Sequence, residues 1–582
     1  MLRGLQASAP RVCVASIALG GAYWFAQGNS VHNEGETPMP STQRTFPMCS
    51  VVAWGSNAHK VVAPQSSKSS VKTPTPIPAF DGVALRDLQL AKTYGAAVDA
   101  DGDVLQWGTG FIDDQDAKSP ITPLKTLIGK DIVQLQLSGP KIFALARNGS
   151  IYVIASSRKK QSVAAKSWRD TWLSSSPVID YVKLTASLDS KPSKQKFVSI
   201  SAGEHHLLAL SQQGMVWSLP VDEYANEYGQ LGYTTTTLNA MSVSEPNHLI
   251  SIASRLEPKI ISRKKLANSD VHPKDLPLVN VSADVSSDTS LLDSDEIRFA
   301  TELRPVPALR DIPMAQIATG LQHSAAKSTA GRVVTWGRNT HGQLALGESV
   351  FGDTIAVPTE VRWPAAILGP NAECTDVIAG GNNTMFVMRS TQAPSAKQDD
   401  DQSSRPGAPK PRIDLIAAGS GGCGSLGNAL RQQVCSLPVR VKNVSGLMEY
   451  NESQHALVPI PFRSVSIGSG GECALVMDSA PIGNETRRDV WVWGNNEQYQ
   501  LGNGKHTNLA APVLLTLASK DSQADAFLGQ TPPQNRVLLV ERAKVQGASY
   551  AIDGRGTQRK YTIAQHIVAN ADAMAIYGRI LL

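Results

Sequence analysis

Two short patterns of apolar and small residues recur along the chain, and both predict β-strands. The first is an apolar strand, then a small residue or glycine, then alternating small and apolar residues, as in ISAGEHHLLAL over residues 200–210. Alternation with a period of two is typical of strands in a sheet. Copies of this first pattern begin at residues 88, 135, 200, 317, 377, 465 and 567.

The second pattern is a strand that ends in Trp-Gly and continues into Asn-x-x-Gly-Gln-Leu-Gly. Its clearest copy is VVTWGRNTHGQLALG at residues 333–347. Related copies occupy residues 51–57, 104–110 and 490–504, and degenerate copies occupy residues 151–156, 216–232 and 413–428. The chain opens with an isolated second pattern at Trp54 and closes with an isolated first pattern at Ile567, so the two termini are expected to complete one unit.

These patterns predict an all-β protein, a seven-bladed β-propeller in which the N- and C-terminal strands complete one blade. Closing the ring in this way leaves no sheet edge open to aggregation. Glycine permits positive φ in the tight turns, and tryptophan supplies a large apolar plate between neighbouring sheets. The residues to which we assign these structural roles are Trp54, Gly55, Trp107, Gly108, Gly203, Gly229, Gly232, Gly320, Trp336, Gly337, Gly342, Gly380, Gly419, Gly424, Gly427, Gly468, Trp493 and Gly494.

The N-terminus carries a different signal. Up to His32 the only charged residues are Arg3 and Arg11, a bias typical of a transit peptide, although a secretory signal looks similar. The apolar run from Val12 to Ala26 is shorter than the roughly 20 residues that a spanning helix needs, but the uncharged stretch to Asn33 can lengthen it. Both a retained membrane anchor and a cleaved signal therefore remain open.

The sequence divides accordingly, with three insertions in the propeller. The predicted segments are a short mitochondrial targeting segment at 1–11, a transmembrane anchor at 12–33, a linker at 34–50 and a propeller at 51–582, with insertions at about 157–196, 233–314 and 390–412.

Length and composition agree with a large repeat protein. A chain of 582 residues is too long for one hydrophobic core. With 42% apolar residues and 55 Lys and Arg against 50 Asp and Glu, neither disorder throughout nor a strongly basic nucleic-acid coat fits. The six cysteines contain no Cys-x-x-Cys pair, which argues against a structural zinc site.

The first insertion holds nine Lys and Arg residues against three Asp. Such a surplus attracts anionic lipid head groups or an RNA backbone, and the alternative is a solvated loop. The candidate partner or lipid loop consists of Arg158, Lys159, Lys160, Lys166 and Arg169.

Motifs that suggest an enzyme are explained better by the repeat. The GxGxxG at residues 419–424 resembles a dinucleotide fingerprint but falls in register with the second pattern. His205, His206 and His323 occupy the histidine positions of the first pattern, where we expect each to bond a backbone carbonyl of its own blade rather than a metal. We therefore assign no catalytic, cofactor-binding or metal site and expect no cofactor.

Together the two patterns, AGxxHxxAL and GxVxxWGxNxxGQLG, resemble the repeat of the regulator-of-chromosome-condensation propellers, the family of the Ran exchange factor. The resemblance extends from Val51 to Leu582 apart from the insertions, and residues 203–232 and 317–347 are its most specific copies. The arginine-bearing, acid-free start before degenerate repeats is most similar to the fungal mitochondrial inner-membrane member of this family, which is implicated in assembly of the cytochrome bc1 complex, complex III.

The resemblance implies a non-enzymatic assembly factor, held in the mitochondrial inner membrane by a single transmembrane segment. Its expected partners are respiratory-complex subunits or assembly intermediates, bound by propeller faces and loops, with anionic lipid as a further partner and nucleic acid not expected. Two other functions remain open: a guanine-nucleotide exchange factor for a mitochondrial GTPase, and an RNA or mitoribosome-assembly factor.

Overall fold

The computed structural model is built almost entirely of β-strands, as the sequence patterns predict. The structure describes residues 46–113, 120–162, 179–188, 191–241, 249–255, 295–347, 350, 352–369, 371–392, 410–452, 454–479, 487–517, 536–551, 556–570 and 572–581. Its short α-helices within these ranges are α1 (Thr109–Ile112), α2 (Arg158–Gln161) and α3 (Ala365–Leu368).

The strands follow one another in chain order. The first are β1 (Val51–Ser56), β2 (Ser70–Pro76), β3 (Leu85–Leu90), β4 (Gly95–Asp99), β5 (Val104–Trp107), β6 (Leu124–Lys125), β7 (Ile132–Ser138), β8 (Lys141–Ala146), β9 (Ile151–Ala155), β10 (Val182–Lys183), β11 (Thr185–Leu188) and β12 (Lys191–Ser193). The next are β13 (Phe197–Ala202), β14 (His206–Ser211), β15 (Val216–Pro220), β16 (Thr235–Met241), β17 (Leu249–Arg255), β18 (Glu302–Pro305), β19 (Met314–Thr319), β20 (His323–Ser328), β21 (Val333–Arg338) and β22 (Thr354–Glu360). The last are β23 (Glu373–Gly380), β24 (Asn383–Gln392), β25 (Lys410–Gly419), β26 (Cys435–Arg440), β27 (Met448–Asn451), β28 (Ala456–Pro459), β29 (Phe462–Ile467), β30 (Glu472–Asp478), β31 (Arg487–Gly494), β32 (Leu509–Leu514), β33 (Leu538–Val540), β34 (Ala543–Ala548), β35 (Gln558–Asn570) and β36 (Ala573–Ile580).

Most of these strands form antiparallel meanders of four, which we number I to VII. In the described residues they are I (β3 to β6), II (β7 to β10), III (β13, β14, β15 and β18), IV (β19 to β22), V (β23 to β26), VI (β29 to β32) and VII (β35, β36, β1 and β2). Meanders I and VII share one sheet through a single parallel pair, Leu85 with Arg579. Elsewhere the meanders meet through side chains and through isolated backbone hydrogen bonds between turns, such as that from the amide of Leu321 to the carbonyl of Gly381, so the sheets pack against one another around a ring.

The two ends of the chain meet in meander VII. Strand β1 pairs with β36 over five residue pairs, from Val51 opposite Tyr577 to Gly55 opposite Ala573, and β35 covers the other edge of β36. The N-terminal strand is therefore hydrogen-bonded between the C-terminal strand and β2. This is the shared terminal unit that the order of the sequence patterns predicts.

The first strand of each meander lines the centre of the ring. Strand β3 contacts β7, and the circuit continues through β13, β19, β23, β29 and β35 back to β3. Polar side chains join these strands where no sheet continues. The bridges are Asp87 to the amide of Leu135, Gln134 to both backbone groups of Ile200, Ser201 to Thr319, Gln316 to both backbone groups of Val377, Ser466 to the amide of Ala569, and Asn570 to Gln89.

A second set of hydrogen bonds joins the outer part of four of the contacts between neighbouring meanders, which we call seams, through the tryptophans of the second pattern. The indole Nε1 of Trp336 donates to the carbonyl oxygen of Gln230 at 2.9 Å, and that of Trp54 donates to the carbonyl oxygen of Gln500 at 2.7 Å. In both cases the acceptor lies in the Gln-Leu-Gly loop of the preceding meander. Trp493 and Trp107 make the corresponding bonds to Ser425 and Val61. All four rings are fully buried, so each bond forms in a low-dielectric seam.

The glutamine and asparagine residues of the second pattern hold the loop in its conformation. The Gln500 side-chain oxygen accepts the amide of Gln498 at 2.7 Å, and the Asn496 side-chain oxygen accepts the amide of Leu501 at 2.9 Å. The same two bonds occur at Gln230 and Asn226. The loop amides are thereby satisfied internally, which leaves the carbonyl of the glutamine to accept the next tryptophan.

The ranges predicted as insertions contain regular strands of the meanders. Strand β10, within 157–196, is the outer strand of meander II, and β18, within 233–314, is the outer strand of meander III. Strands β24 and β25 both extend into 390–412. The sequence patterns end at the third strand of each unit, so they give no signal for the outer strand that follows a long loop.

The predicted targeting segment and anchor, residues 1–11 and 12–33, lie outside the described residues, as does most of the linker. Within the described ranges, no helix combines the length and the apolar character that crossing a bilayer requires.

The seam bond of Trp54 predicts a large difference between two neighbouring glycines. Gly502 and Gly504 have φ of +65° and +75°, so alanine at either position costs about 1–2 kcal/mol of backbone strain. A Cβ on Gly502 would lie 2.7 Å from Trp54 Nε1, whereas the nearest atom to one on Gly504 is 3.8 Å away. We expect Gly502→Ala to lose about 1–3 kcal/mol more than Gly504→Ala in urea unfolding. Equal losses would show that the contact does not hold the seam.

Candidate functional site

One face of the ring gathers the features from which a binding site could be built. Because consecutive strands alternate in direction, the turn after the first strand and the loop after the third strand of every meander lie at the same end, which we call the loop face. The described ends of the connections that follow β1, β9 and β15 all belong to it. The turns between second and third strands lie on the opposite face.

The central channel opens at the loop face. A cavity of about 740 Å³ lies at the carboxyl ends of the first strands, where Gln89, Gln136, Thr319 and Gly380 line it. Glu204 and Lys92 stand at its rim. Many of the polar side chains in the channel already bond a neighbouring strand, so the deeper wall is part of the ring's own structure.

A single sequence position, which we call the seam position, starts the second strand of each meander at this face. Its occupants are Gly95, Lys141, His206, His323, Asn383, Glu472 and Ala573. In meanders II to IV the side chain at this position reaches the next meander: Lys141 bonds the carbonyl of Val221, His206 bonds Ser324 and His323 bonds Thr384. The seam position thus determines much of the chemistry of each contact between meanders.

The two buried histidines act as hydrogen-bond donors. His206 Nε2 lies 2.9 Å from Ser324 Oγ, and this hydroxyl donates its own hydrogen bond to the carbonyl oxygen of Gln230. His323 Nε2 and Thr384 Oγ1, also 2.9 Å apart, repeat the arrangement, with the threonine bonding the carbonyl of Gln343. Since each hydroxyl has already given its proton, the histidine must carry the hydrogen on Nε2.

This geometry corrects one expectation. The histidines bond side-chain hydroxyls of the next meander instead of backbone carbonyls of their own blade, because the first pattern places them at a seam and not inside a sheet. Burial lowers the pKa of both His206 and His323 to about 3, so both rings are neutral. Among the described residues no group of three or more His, Cys, Asp or Glu could hold a metal ion.

His205 has the opposite electrostatic setting. It lies at the cavity rim, with Nδ1 2.7 Å from Asp222 and Nε2 3.5 Å from Glu204. Burial alone would lower its pKa, but the hydrogen bonds to Asp222 and Glu204 outweigh that effect and raise it to about 10. The ring is therefore an imidazolium at neutral pH. It fixes the loop after β15 to the turn after β13, next to Glu204, which lines the cavity.

The candidate basic set is only partly described. Arg158, Lys159 and Lys160 form helix α2 on the loop face, and the Lys160 ammonium pairs with Asp295 at 2.9 Å. The amide of Lys159 bonds Asp113. Lys166 and Arg169 lie outside the described residues. The structure therefore brings the first three together on the face that carries the cavity.

The glycines of the two patterns occupy two kinds of place. Those that follow tryptophan, such as Gly337 at φ +105°, and those of the loops, such as Gly427 at φ +64°, have left-handed backbone. Gly203, Gly320, Gly380 and Gly468 lie at close approaches: a Cβ on Gly203 would lie 2.4 Å from the ring of His206. The GxGxxG at 419–424 is the loop after β25, and Ser425 within its continuation accepts Trp493.

The sequence patterns did not identify Lys141, Asn383 and Glu472, which occupy the same position in their meanders as the buried histidines. Aligning the seven copies of the first pattern would have placed all three in the histidine position. It would also have shown that the position varies from Gly to Lys and Glu, which marks seams of different chemistry.

The buried histidines predict that acid weakens the protein. Their pKa is about 3 in the folded state, whereas an unfolded histidine titrates near 6.5. Their stabilising effect is therefore complete above pH 6.5 and is lost as the pH falls toward 3. Below pH 6.5 each should raise the unfolding equilibrium constant by up to about tenfold per pH unit.

The measurement is urea unfolding from pH 7 to 5 for wild type and His323→Asn, since asparagine already occupies this position at Asn383. The variant should show a shallower pH dependence whatever its stability at pH 7. His455→Asn, at an exposed position, is the control and should keep the wild-type slope. An unchanged slope in His323→Asn would contradict the assignment.

Known proteins share both the repeat and the ring. The chain matches the regulator of chromosome condensation (RCC1) repeat over residues 314–343, 330–387 and 489–531. It is 22% identical over 466 residues to Protein FMP25, mitochondrial, of Saccharomyces cerevisiae, an alignment that covers 77% of this chain and 64% of that protein.

Two further curated relatives cover less of the chain. It is 43% identical over 61 residues, 10% of its length and 13% of the relative's, to RCC1 domain-containing protein RUG3, mitochondrial, of Arabidopsis thaliana. It is 24% identical over 310 residues, 49% of its length and 59% of the relative's, to guanine nucleotide exchange factor SRM1 of S. cerevisiae. The chain spans less than two thirds of each of these three relatives.

The fold also has a solved counterpart. The crystal structure of Prp20p from S. cerevisiae superposes with a TM-score of 0.50 at 16% identity, over 93% of this chain and 94% of that one. At that identity the likeness shows the fold alone. With the meanders, the closed circuit of first strands and the matched repeats, it establishes that the chain is an all-β propeller carrying regulator-of-chromosome-condensation repeats.

Proposed function

We propose that this protein is a non-enzymatic assembly factor for respiratory complex III at the mitochondrial inner membrane, and that its loop face binds a subunit or an assembly intermediate. The observation that carries the proposal is the set of charged side chains on the face where the central channel opens, namely Glu204, His205, Asp222 and the basic residues of helix α2. The similarity to FMP25, a mitochondrial protein by name, over 77% of the chain supports the compartment.

The loop face suits protein binding better than small-molecule chemistry. Its acidic rim at Asp222 and Glu204 is balanced by the His205 imidazolium, and helix α2 brings three basic residues to the same face. Charges of both signs on loops held by a rigid ring provide a surface that can be complementary to one partner. The propeller would then position that partner, with no reaction of its own.

The finer features of the prediction belong to this proposal. Meanders I to VII would be the seven blades of the complete ring, since the circuit of first strands closes on itself. The segment at 1–11 would direct import and the segment at 12–33 would be the single-pass anchor. Anionic lipid is proposed as a second partner of the basic set, although a lipid head group would compete with Asp295 for Lys160.

The proposal predicts that charge reversal on the loop face impairs complex III. A strain that lacks the gene should lose mature complex III, and the Arg158→Glu, Lys159→Glu double variant should restore it less well than wild type, because the partner would meet reversed charge. Blue-native electrophoresis of mitochondrial membranes, probed for each respiratory complex at matched expression, measures the effect.

The matched control is Arg559→Glu, Lys560→Glu, which reverses two exposed residues at the start of β35 on the opposite face. It should restore complex III fully. Equal failure of both variants would remove the preference for the loop face. Labelling of mitochondrial translation products in the same samples tests the RNA alternative, since a general loss of translated subunits would favour it over assembly.

Exchange activity is a second candidate because the chain resembles SRM1, a guanine nucleotide exchange factor by name, over 49% of its length. If it applies, substoichiometric amounts of the protein should accelerate release of a labelled guanine nucleotide from a mitochondrial GTPase. Under the assembly proposal the release rate stays at its spontaneous value, and a severalfold acceleration that is lost in a loop-face variant would favour exchange instead.

A further inference from the structure

The seam between meanders VI and VII differs from the others in its chemistry. Its seam position holds Glu472, which is completely buried. At the corresponding place in the next meander, where Ser324 and Thr384 supply hydroxyls to the histidines, the chain has Met574, which offers no hydrogen-bonding group. Among the described residues neither carboxyl oxygen of Glu472 has a hydrogen-bond partner of normal geometry.

Asp572 is the group that the ring closure brings to this carboxyl. It lies in the turn between β35 and β36, in left-handed backbone at φ +66°. Glu472 Oε2 and Asp572 Oδ1 both approach one point, the place that a Cβ on Gly470 would occupy, at 2.8 and 2.9 Å. The missing side chains of Gly468 and Gly470 make the room, since a Cβ on Gly468 would collide with Glu472 Oε1.

A negative charge on Glu472 is disfavoured beside the half-buried Asp572, because the burial of Glu472 removes the water that would screen its carboxylate. The titratable groups around Glu472 are Asp572 across the seam, Cys473 on its own strand and Cys423 in the loop after β25, near Glu497 and Arg431. Asp572 accepts a long bond of 3.4 Å from Gln500, which leaves a carboxylate able to accept another.

We propose that Glu472 keeps a proton in the folded protein and forms, opposite Asp572, a pH-sensitive latch between meanders VI and VII. With the proton bound, Glu472 is a donor, as the histidines and Lys141 are at their seams, and Asp572 accepts. When the proton leaves to solvent, two negative charges face each other and the seam that closes the ring loosens.

The direction of the pH dependence follows from the folded state. Burial, and after it the charge of Asp572, raises the pKa of Glu472 to about 8. An unfolded glutamate titrates near 4.3, so between these values the folded protein holds a proton that the unfolded chain releases. The latch is complete at low pH, and stability falls as the pH rises through about 8.

The test is urea unfolding of the full chain at pH 6 and pH 9, for wild type and Glu472→Gln. Glutamine keeps a donor and cannot ionise. The wild-type unfolding equilibrium constant should rise by on the order of 100-fold more than that of the variant between these two values. Glu497→Gln, which neutralises an exposed acid on the same meander, should retain the wild-type rise.

Hydrogen exchange locates the effect and covers a variant that fails to fold. In wild type, exchange of residues 572–581, corrected for its intrinsic pH dependence, should accelerate between pH 6 and 8 more than exchange of β20 and β21, and the excess should level off above pH 8. Asp572→Asn should move this levelling-off to lower pH, because the charge that raises the pKa of Glu472 is gone. The same pH dependence in Glu472→Gln and wild type would overturn the proposal, and so would a curve that EDTA shifts, since a metal ion would then replace the proton.

Discussion

The hydrogen-bonded ladder between β1 and β36 is the interaction on which the ring depends. It joins residues more than 500 positions apart in the sequence, so forming it closes a loop that contains nearly the whole propeller. Loop-closure entropy of that size must be offset by everything the closure makes possible. The buried Trp54 shows what that is, since its bond to Gln500 exists only when the terminal strand has reached meander VI.

Closure also explains why the repeat carries the residues it does. A meander satisfies its own backbone through its ladders, but its faces must also be joined to two neighbours, and among the described residues only meanders I and VII share a sheet, through a single residue pair. A hydrogen bond from the tryptophan indole to the glutamine carbonyl joins neighbouring meanders in the outer part of the ring. Side chains such as Gln134 and Gln316 join them nearer the central axis. Each repeat thus contributes one side of the contact with each of its two neighbours. For this reason the two sequence patterns alternate strictly along the chain.

The sequence was sufficient for the strands and the closure, because both follow from local periodicity and from the order of the two patterns. Trp54 and Ile567 alone imply the terminal unit. The seams could not be read in the same way. His206 and Ser324 are 118 residues apart, and Asn570 and Gln89 are 481 apart, so no spacing links them. The predicted partners of His206 and His323 were wrong for this reason. The sequence patterns describe a single meander, whereas these side chains bond to the next meander. The outer strands β10 and β18 were placed in insertions because strands of two to four residues show little apolar alternation.

The two seams of the closing meander contain buried carboxyls with very different surroundings, and the contrast indicates what each can do. Asp87, between meanders I and VII, accepts the amides of Leu88 and Leu135 and the hydroxyl of Tyr577. Burial raises its pKa, while the Arg579 charge and those bonds act against the rise. Such a group is part of the scaffold, since removing any one donor leaves the others. At Glu472, at the other seam, burial and the charge of Asp572 raise the pKa to about 8, although the backbone amides of Glu472, Asp572 and Gly470 act against the rise. A ring held by satisfied bonds on one side of its last meander and by a single protonated carboxyl on the other would open at the second seam.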